Sequence, residues 1–516
     1  MINNTLLTYT TFAKTLTFPL LKFMAKPIDL KTLLRNVKVK KMVGPRQNPL
    51  IHSLALHSHT VQPHSIFFPI MGEHYDGNDF IDQAIARGAE VIVTEKPLPR
   101  LSNVIQVQVE NVRETMSRIA DMFYEAPDKK LRLIGVTGTS GKTTTSWLLR
   151  HIYKEVFAEK TGLLGSLQYD LGKRILPASR TTPDAISLTS YLDEMVQAHE
   201  KNAVLEVSSH AIEQKRIAAL QFHTVAFTNL SLEHLDYHKT MENYFQAKKQ
   251  LFTQNNLKNA VINLDDPYGQ RLFNEINGSV NKVTIGIETP ATLQAKNIKT
   301  DLQSSSFTLT CPQGEWRVET PLLGLFNIYN CLTALGIFYA QGYNIEPIIP
   351  ALKNFKHVPG RLEEVPNTLG LKIFVDYAHK PEALRNVLQT LRPLTAKKLL
   401  LVFGCGGDRD RTKRPIMTQI AETYTDLAWA TSDNPRTESQ ENIFNDMRKG
   451  LLPNSEKIAF VHDRAEAIHQ ALQHCQPGDC LIIAGKGHEQ YQEINQQFFP
   501  FDDRKVVDDF CLKTCQ

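Results

Sequence analysis

LIGVTGTSGKTTTSWLLRHIYKEVF, residues 133–157, carries three structural signals in one run. The apolar and β-branched residues up to Thr137 read as a buried strand. Gly138, Thr139, Ser140 and Gly141 make a glycine-rich loop that ends in Lys142 and Thr143, with Thr144 next. Beyond it Leu148, Leu149, Ile152, Tyr153, Val156 and Phe157 fall on one face of a helix. Such a strand–loop–helix turn cradles an anion, because the loop amides and the helix N-terminus direct positive charge at one spot. Lys142 would reach the β- and γ-phosphates of a nucleotide, and the Thr143 hydroxyl would take Mg²⁺. The strict G-x-x-x-x-G-K-[ST] spacing is not met: Val136 stands five before Gly141, and the glycines fall at 135, 138 and 141. Motors, switches, kinases and ligases all use phosphate loops, so the neighbouring residues must choose.

Outward from this run, short β-branched stretches alternate with helical patterns, which predicts an α/β fold on mostly parallel sheets. SIFFPI (65–70) and EVIVTE (90–95) bracket the helix-like NDFIDQAIARG and make a small N-terminal α/β unit. AVLEVSS (203–209), TVAFTNL (224–230) and NAVINLDD (259–266) continue the middle block. A third block runs through LKIFVDYAH (371–379), KLLLVFGCGG (398–407), DLAWATSDN (426–434) and DCLIIAGKGHE (479–489). Each strand ends in a Gly, Asp, Asn or His cluster, and strand ends are where open α/β sheets bind ligands. The expected division is 24–111, 112–360 and 361–516, with residues 1–23 a loose extension or an over-called start.

The 516 residues exceed one core, and a prior of roughly 150 residues per domain suggests three or four domains. A net charge of +4 is small for this length and points to no nucleic-acid or membrane surface. All seven cysteines lie at Cys311 or later, without a CxxC pair, which is a poor disulfide framework and suits a reducing cytoplasm. The N-terminal segment is interrupted by Lys14, Pro19 and Lys22, and lacks the run of about 20 apolar residues that a membrane span needs. GCGG is not a dinucleotide fingerprint, because the third glycine position is Arg409.

Glu206 sits inside an apolar strand, where a carboxylate is costly unless paired or metal-bound. His234, Asp236 and His238 cluster after the next strand, and Lys248 lies on a helical stretch. Taken singly, a satisfied loop histidine and a solvated lysine are the ordinary readings. Taken in order, GTSGKTTT, LEVSSHAIEQKRI, FTNLSLEHLDYH, QAKKQLF, GLFNIYN, DYAHKP, FGCGGDRDRTKRP, DNPRTE and AGKGHEQYQ resemble the Mur ligases, over most of the chain.

The resemblance implies a three-domain Mur ligase architecture: a UDP-binding N-terminal domain, a central phosphate-loop ATPase domain and a Rossmann-like C-terminal domain. It implies that ATP phosphorylates a carboxylate of a nucleotide-linked substrate and that an amine then attacks the acyl phosphate. Thr143 and Glu206 would serve one Mg²⁺, and His234 a second. Lys248 matches a lysine that is carbamylated in the family. Asn327 would contact adenine, while Arg361, Asp376 and His379 would close over the nucleotide. Leu56, Ser58, Glu73, His74 and Tyr75, then Thr181, Thr182, Ser208, Gln214 and Arg216, would bind UDP-N-acetylmuramoyl-L-Ala-D-Glu. The chain departs from the family at His57-Ser58-His59, where Asp-Ser-Arg is frequent, and at Arg180, where the family has Asn.

Arg409, Asp433, Asn434, Pro435, Arg436, Gly485 and Glu489 match positions that bind meso-diaminopimelate. Arg436 would fork to its distal carboxylate, with Asp433 or Glu489 taking the ammonium. The resemblance implies a monomer with no nucleic-acid partner and no membrane insertion. The alternatives are a lysine-adding relative, a folylpolyglutamate synthase-like ligase, and a phosphate-loop ATPase with no acceptor.

Overall fold

The computed structural model describes residues 26–45, 47–72, 75–98, 103–276 and 278–514. The expected extension at 1–23 and two site residues, Glu73 and His74, lie outside them. The chain divides into two compact units, Met1–Ala126 and Pro127–Gln516.

In the first unit a five-stranded sheet has the spatial order Val39–Val43, Ile105–Val109, Ala89–Thr94, Ser65–Phe67, Ser53–Ala55. Only the Val39–Val43 edge runs antiparallel to its neighbour. The helix Val112–Phe123 lies within this unit, which runs to Ala126. Asn111 caps it by accepting from Glu114 N at 2.9 Å, and it buries Val112, Met116, Ile119, Ala120 and Phe123. That apolar stripe fixes which unit the helix joins.

Among the described residues the second unit holds two large sheets and a two-stranded hairpin. The central one has eleven strands, with Thr161–Leu164, Asn202–Glu206, Arg132–Thr137, Thr224–Phe227, Asn259–Asn263 and Asn281–Gly286 side by side and parallel. Cores on both faces bury these strands, which is why they read as unbroken apolar runs. Leu293–Thr300 continues the parallel run beside Asn281–Gly286, Ser305–Cys311 and Gly314–Thr320 then pair antiparallel, and antiparallel strands also extend the other edge.

The other sheet has six strands in the order Glu363–Glu364, Lys372–Asp376, Cys480–Ala484, Leu399–Cys405, Leu427–Ser432, Ile458–Val461. All pairs but the first are parallel, so Asp376, Cys405, Ser432 and Ala484 end at the same edge. A hairpin of Tyr491–Ile494 and Gln497–Pro500 follows. Among the described residues no helix is long and apolar enough to cross a membrane.

Candidate active site

The strand Arg132–Thr137 delivers the phosphate loop to the start of the helix Lys142–Phe157, as the sequence predicts. Thr139 N donates to Asn229 O (2.9 Å), Ser140 N to Asn229 Oδ1 (2.9 Å), and Thr228 Oγ1 to Ser140 O (2.6 Å). The adjacent strand end therefore holds the loop's shape. Lys142 Nζ folds back onto Gly138 O (2.9 Å) and Thr139 O (2.8 Å). Burial lowers its pKa to about 8, with Glu206 opposing and Arg361 adding to the shift. Thr143 and Thr144 are buried at the helix start.

Glu206, almost fully buried, is the hub. Its carboxylate accepts from Thr143 Oγ1 (2.9 Å), Ser166 N (3.0 Å) and Ser166 Oγ (3.0 Å). Hydroxyls lead away from it. Ser166 Oγ lies 3.1 Å from Thr181 Oγ1, Thr182 Oγ1 donates to Glu206 O (2.7 Å), and Ser208 N donates to Thr182 Oγ1 (3.1 Å). Arg216 closes the row, donating to Thr182 O and Gln214 Oε1, each at 2.7 Å. The structure thus joins the five middle-block residues assigned to the nucleotide-linked substrate to the carboxylate assigned to the metal.

Lys248 sits on the helix Met241–Lys249, which Thr240 caps, and its side chain is buried, contrary to the solvated reading. Its amine bonds to Gly138 O (3.0 Å), the carbonyl that Lys142 also uses, and lies 4.8 Å from the Tyr244 ring centroid. Burial, then the charge of Lys142, hold its pKa well below the usual lysine value. His234 takes a left-handed backbone (φ 58°), and burial followed by Lys142 and Lys248 lowers its pKa to about 4. It is a neutral imidazole at pH 7. Among the described residues no three His, Cys, Asp or Glu side chains converge to hold a metal unaided. One carboxylate with one hydroxyl does suit Mg²⁺, which keeps waters and substrate phosphates as its other ligands.

Asn327 is buried, with its amide donating to Leu323 O (2.9 Å) and accepting from Asn330 (2.9 Å). Asp376 places both oxygens on backbone, Leu362 N and Ala378 N, each at 2.7 Å. It shapes the crossing into the six-stranded sheet. Arg361 lies over the Tyr377 ring (4.9 Å), and His379 Nδ1 is 2.8 Å from Tyr377 O, with burial lowering its pKa to about 4. Lys380 next to it forms an ion pair with Glu233, beside His234.

At the shared strand edge, the loops after Cys405, Ser432 and Ala484 converge. Arg436 and Arg409 flank Gly406, and a Cβ placed on Gly485 would lie 2.5 Å from Asp433 Oδ2. Asn434 is buried and bridges Glu489 Oε2 (2.9 Å) and Lys486 Nζ (3.0 Å). Two of these side chains have partners within the fold. Arg436 Nε lies 3.0 Å from Glu493 Oε2, and its Nη1 donates to Gly407 O at 2.8 Å. Glu489 likewise already holds a cation, since Lys486 Nζ is 3.0 Å from it.

With this geometry in place, comparison with known proteins is decisive. The sequence matches the Mur ligase family catalytic domain over residues 50–124, the Mur ligase middle domain over 136–338, and the Mur ligase glutamate ligase domain over 360–487. The UDP-N-acetylmuramoyl-L-alanyl-D-glutamate–2,6-diaminopimelate ligase of Geobacillus kaustophilus is 42% identical over 467 residues, 89% of this chain and 94% of that one. The chain belongs to the Mur ligase family. A Clostridium acetobutylicum Mur ligase with the same name, numbered 1, is 38% identical, covering 94% of this chain and 99% of its own. A solved structure of a ligase so named has a TM-score of 0.69 at 33% identity, covering 95% of this chain and all of that one.

In the N-terminal unit of this Mur ligase, Ser58 is buried and its hydroxyl donates to Gln83 Oε1 (2.6 Å). His57 and His59 stack at 5.4 Å, Leu56 is half-buried, and Tyr75 is exposed. Arg409 is exposed and donates to Asp408 O (3.1 Å). Sequence reasoning missed Ser166, Asn229, Lys486 and Glu493. Lys486 lies inside a quoted motif and could have been found. Ser166 and Glu493 have no local signal, since only the fold brings them to Glu206 and Arg436.

Proposed function

We propose that this Mur ligase adds meso-diaminopimelate to the D-Glu carboxylate of UDP-N-acetylmuramoyl-L-Ala-D-Glu, with ATP, in peptidoglycan precursor synthesis. The observation that carries this reading is the continuous row from the phosphate loop through Glu206 to Thr182, Ser208 and Arg216. The three-loop edge bearing Arg436 supplies a site for the amino-acid acceptor.

The γ-phosphoryl group passes from ATP to a carboxylate oxygen, giving an acyl phosphate and ADP. The acceptor amine attacks the carbonyl carbon, the C–O bond to phosphate breaks, and the amine loses a proton as the amide forms. Lys142 turns from its own loop carbonyls to the transferring phosphates, and the loop amides orient them. Arg216, with Ser208 and Thr182, positions the carboxylate end of the dipeptide. Thr143 and Glu206 would hold one Mg²⁺, and His234 with Lys248 as a carbamate a second. These ions supply charge neutralisation where two anions meet. Burial, then the charge of Lys142, disfavour the ammonium form of Lys248; the neutral amine is the form that adds CO₂, and a carbamate would be relieved of the clash with Lys142. Arg361, Asn327, Asp376 and His379 would frame the nucleotide, with Asn327 and Asp376 buried and His379 half-buried, all three held by hydrogen bonds.

The enzyme is read as a monomer in the cytoplasm. Its six described cysteines are unbonded thiols, which suits a reducing compartment. Phosphate release tests the reaction class: it should require the UDP-dipeptide and an amine together. Comparing meso-diaminopimelate, lysine and ornithine as acceptors tests the substrate. Steady hydrolysis of ATP alone would favour an ATPase, and equal use of lysine would favour the lysine-adding alternative.

A further inference from the structure

Arg436 is framed by the hairpin that follows the third loop. Arg436 N donates to Glu493 O (3.0 Å) and Asn495 N to Arg436 O (2.7 Å). Gln492 Nε2 donates to Asp433 O (3.0 Å), and Glu493 N to Asn434 Oδ1 (3.0 Å). These bonds hold a non-glycine residue at φ 54°, which is uncommon and needs such support. Within this frame the Glu493 carboxylate takes Arg436 Nε, while Gly407 O takes Nη1. The two paired side chains are 20% and 23% exposed, so the pair sits at the rim of the site. The Nη1 bond to Gly407 O and the Glu493 charge beside Nε together favour one orientation of the guanidinium, and Nη2 is left outside these contacts.

We infer that Glu493 is a positioning residue for the acceptor's distal carboxylate, acting through Arg436. It fixes the guanidinium so that one edge, ending in Nη2, faces the incoming carboxylate. The inference rests on the proposed function, because it presumes an acceptor with a distal carboxylate. Two of the four hairpin bonds to the turn come from Asn495 and Gln492, and the other two use the backbone O and N of Glu493, so none needs its side chain. Replacing the side chain therefore removes the orienting carboxylate and leaves the hairpin docked.

The test compares wild type, Glu493→Ala and Glu493→Gln in steady-state phosphate release, varying each substrate in turn, with thermal melts to verify folding. A glutamine keeps an oxygen for Arg436 Nε and removes only the charge. The expected result for Glu493→Ala is a KM for meso-diaminopimelate raised about tenfold or more. Its kcat should stay within about twofold, with the KM values for ATP and the UDP-dipeptide unchanged, and Glu493→Gln should recover most of the loss. An unchanged KM in Glu493→Ala would overturn the inference, as would a Glu493→Gln variant no better than Glu493→Ala. A rise in all three KM values together would also overturn it, by showing a general structural role. Wild type that fails to turn over meso-diaminopimelate would instead sink the proposed function, so the two failures are distinct.

Discussion

Replacing Gly407 by alanine probes whether three separate strand ends form one acceptor site. A Cβ built on Gly407 would lie 1.9 Å from Pro435 O and 2.7 Å from Pro435 C, with Glu438 Cβ at 3.1 Å. Both of the closest atoms are backbone, so no side-chain rotation relieves the overlap. The loop after Cys405 and the turn Asp433–Arg436 must move apart by more than an ångström. Gly407 N donates to Asn434 O (3.0 Å), and Gly407 O accepts from Arg436 Nη1 (2.8 Å), so that movement strains both bonds. Overpacking of this kind costs about 1–3 kcal/mol. Spent on the site and not on global unfolding, it corresponds to roughly a 5- to 150-fold rise in KM for meso-diaminopimelate. The assay is phosphate release with the acceptor varied, alongside KM for ATP and for the UDP-dipeptide, which should hold within about twofold. Gly278, whose added Cβ would meet nothing within 4 Å, supplies the neutral control. An unaltered acceptor KM in a folded Gly407→Ala enzyme would refute the idea that the Gly407 loop and the Arg436 turn act as one surface.

Arg436→Ala should lower kcat/KM for meso-diaminopimelate by about 2 kcal/mol, near thirtyfold, the low end for truncating a charged pair because the pair is partly exposed. Competition between meso-diaminopimelate and lysine measures it, and an unchanged preference would remove Arg436 from substrate selection. Lys248→Ala should lose turnover and regain part of it with a short added carboxylic acid, and absence of rescue would leave carbamylation unsupported. Lys142 has a folded pKa of about 8 against an ordinary 10.5, so its buried charge destabilises the fold most below pH 8. Between pH 8 and 10.5 the unfolded chain binds more protons, so stability should rise with pH across that window. Lys142→Met, melted without nucleotide, should therefore exceed wild type in Tm at pH 7, with the gap closing by pH 10.5; a constant gap would contradict the assigned cause.

The parallel strands were legible because sheet faces covered on both sides force continuous apolar runs, as at Arg132–Thr137 and Asn202–Glu206. The antiparallel edge Leu293–Thr300, Ser305–Cys311 and Gly314–Thr320 was not, since its residues alternate between buried and open faces and bear no motif. Which unit Val112–Phe123 joins was not legible for a related reason. Val112–Phe123 has the amphipathic pattern of a helix in any domain, and only packing assigns it. At the site, Glu206 was legible as a carboxylate in an apolar strand. Its partner Ser166 was not, because nothing near Ser166 marks it as chemical.

Arg436 shows what a motif leaves open about the role it suggests. The sequence supplies a cation on a stiff turn, and repulsion of an ammonium follows as the natural reason for rejecting lysine. The fold adds Glu493 at 3.0 Å, and the pair carries no net charge. A lysine ammonium meets a dipole there, so long-range repulsion contributes little. What lysine cannot do is accept a hydrogen bond from the guanidinium edge that Glu493 and Gly407 leave outward. A donor desolvated without an acceptor costs about 1–3 kcal/mol, which is enough to discriminate and acts only at contact distance. On the proposed reading, selection against lysine would rest on an unmade bond, and the residue that orients that bond would be as much a part of the specificity as the arginine that makes it.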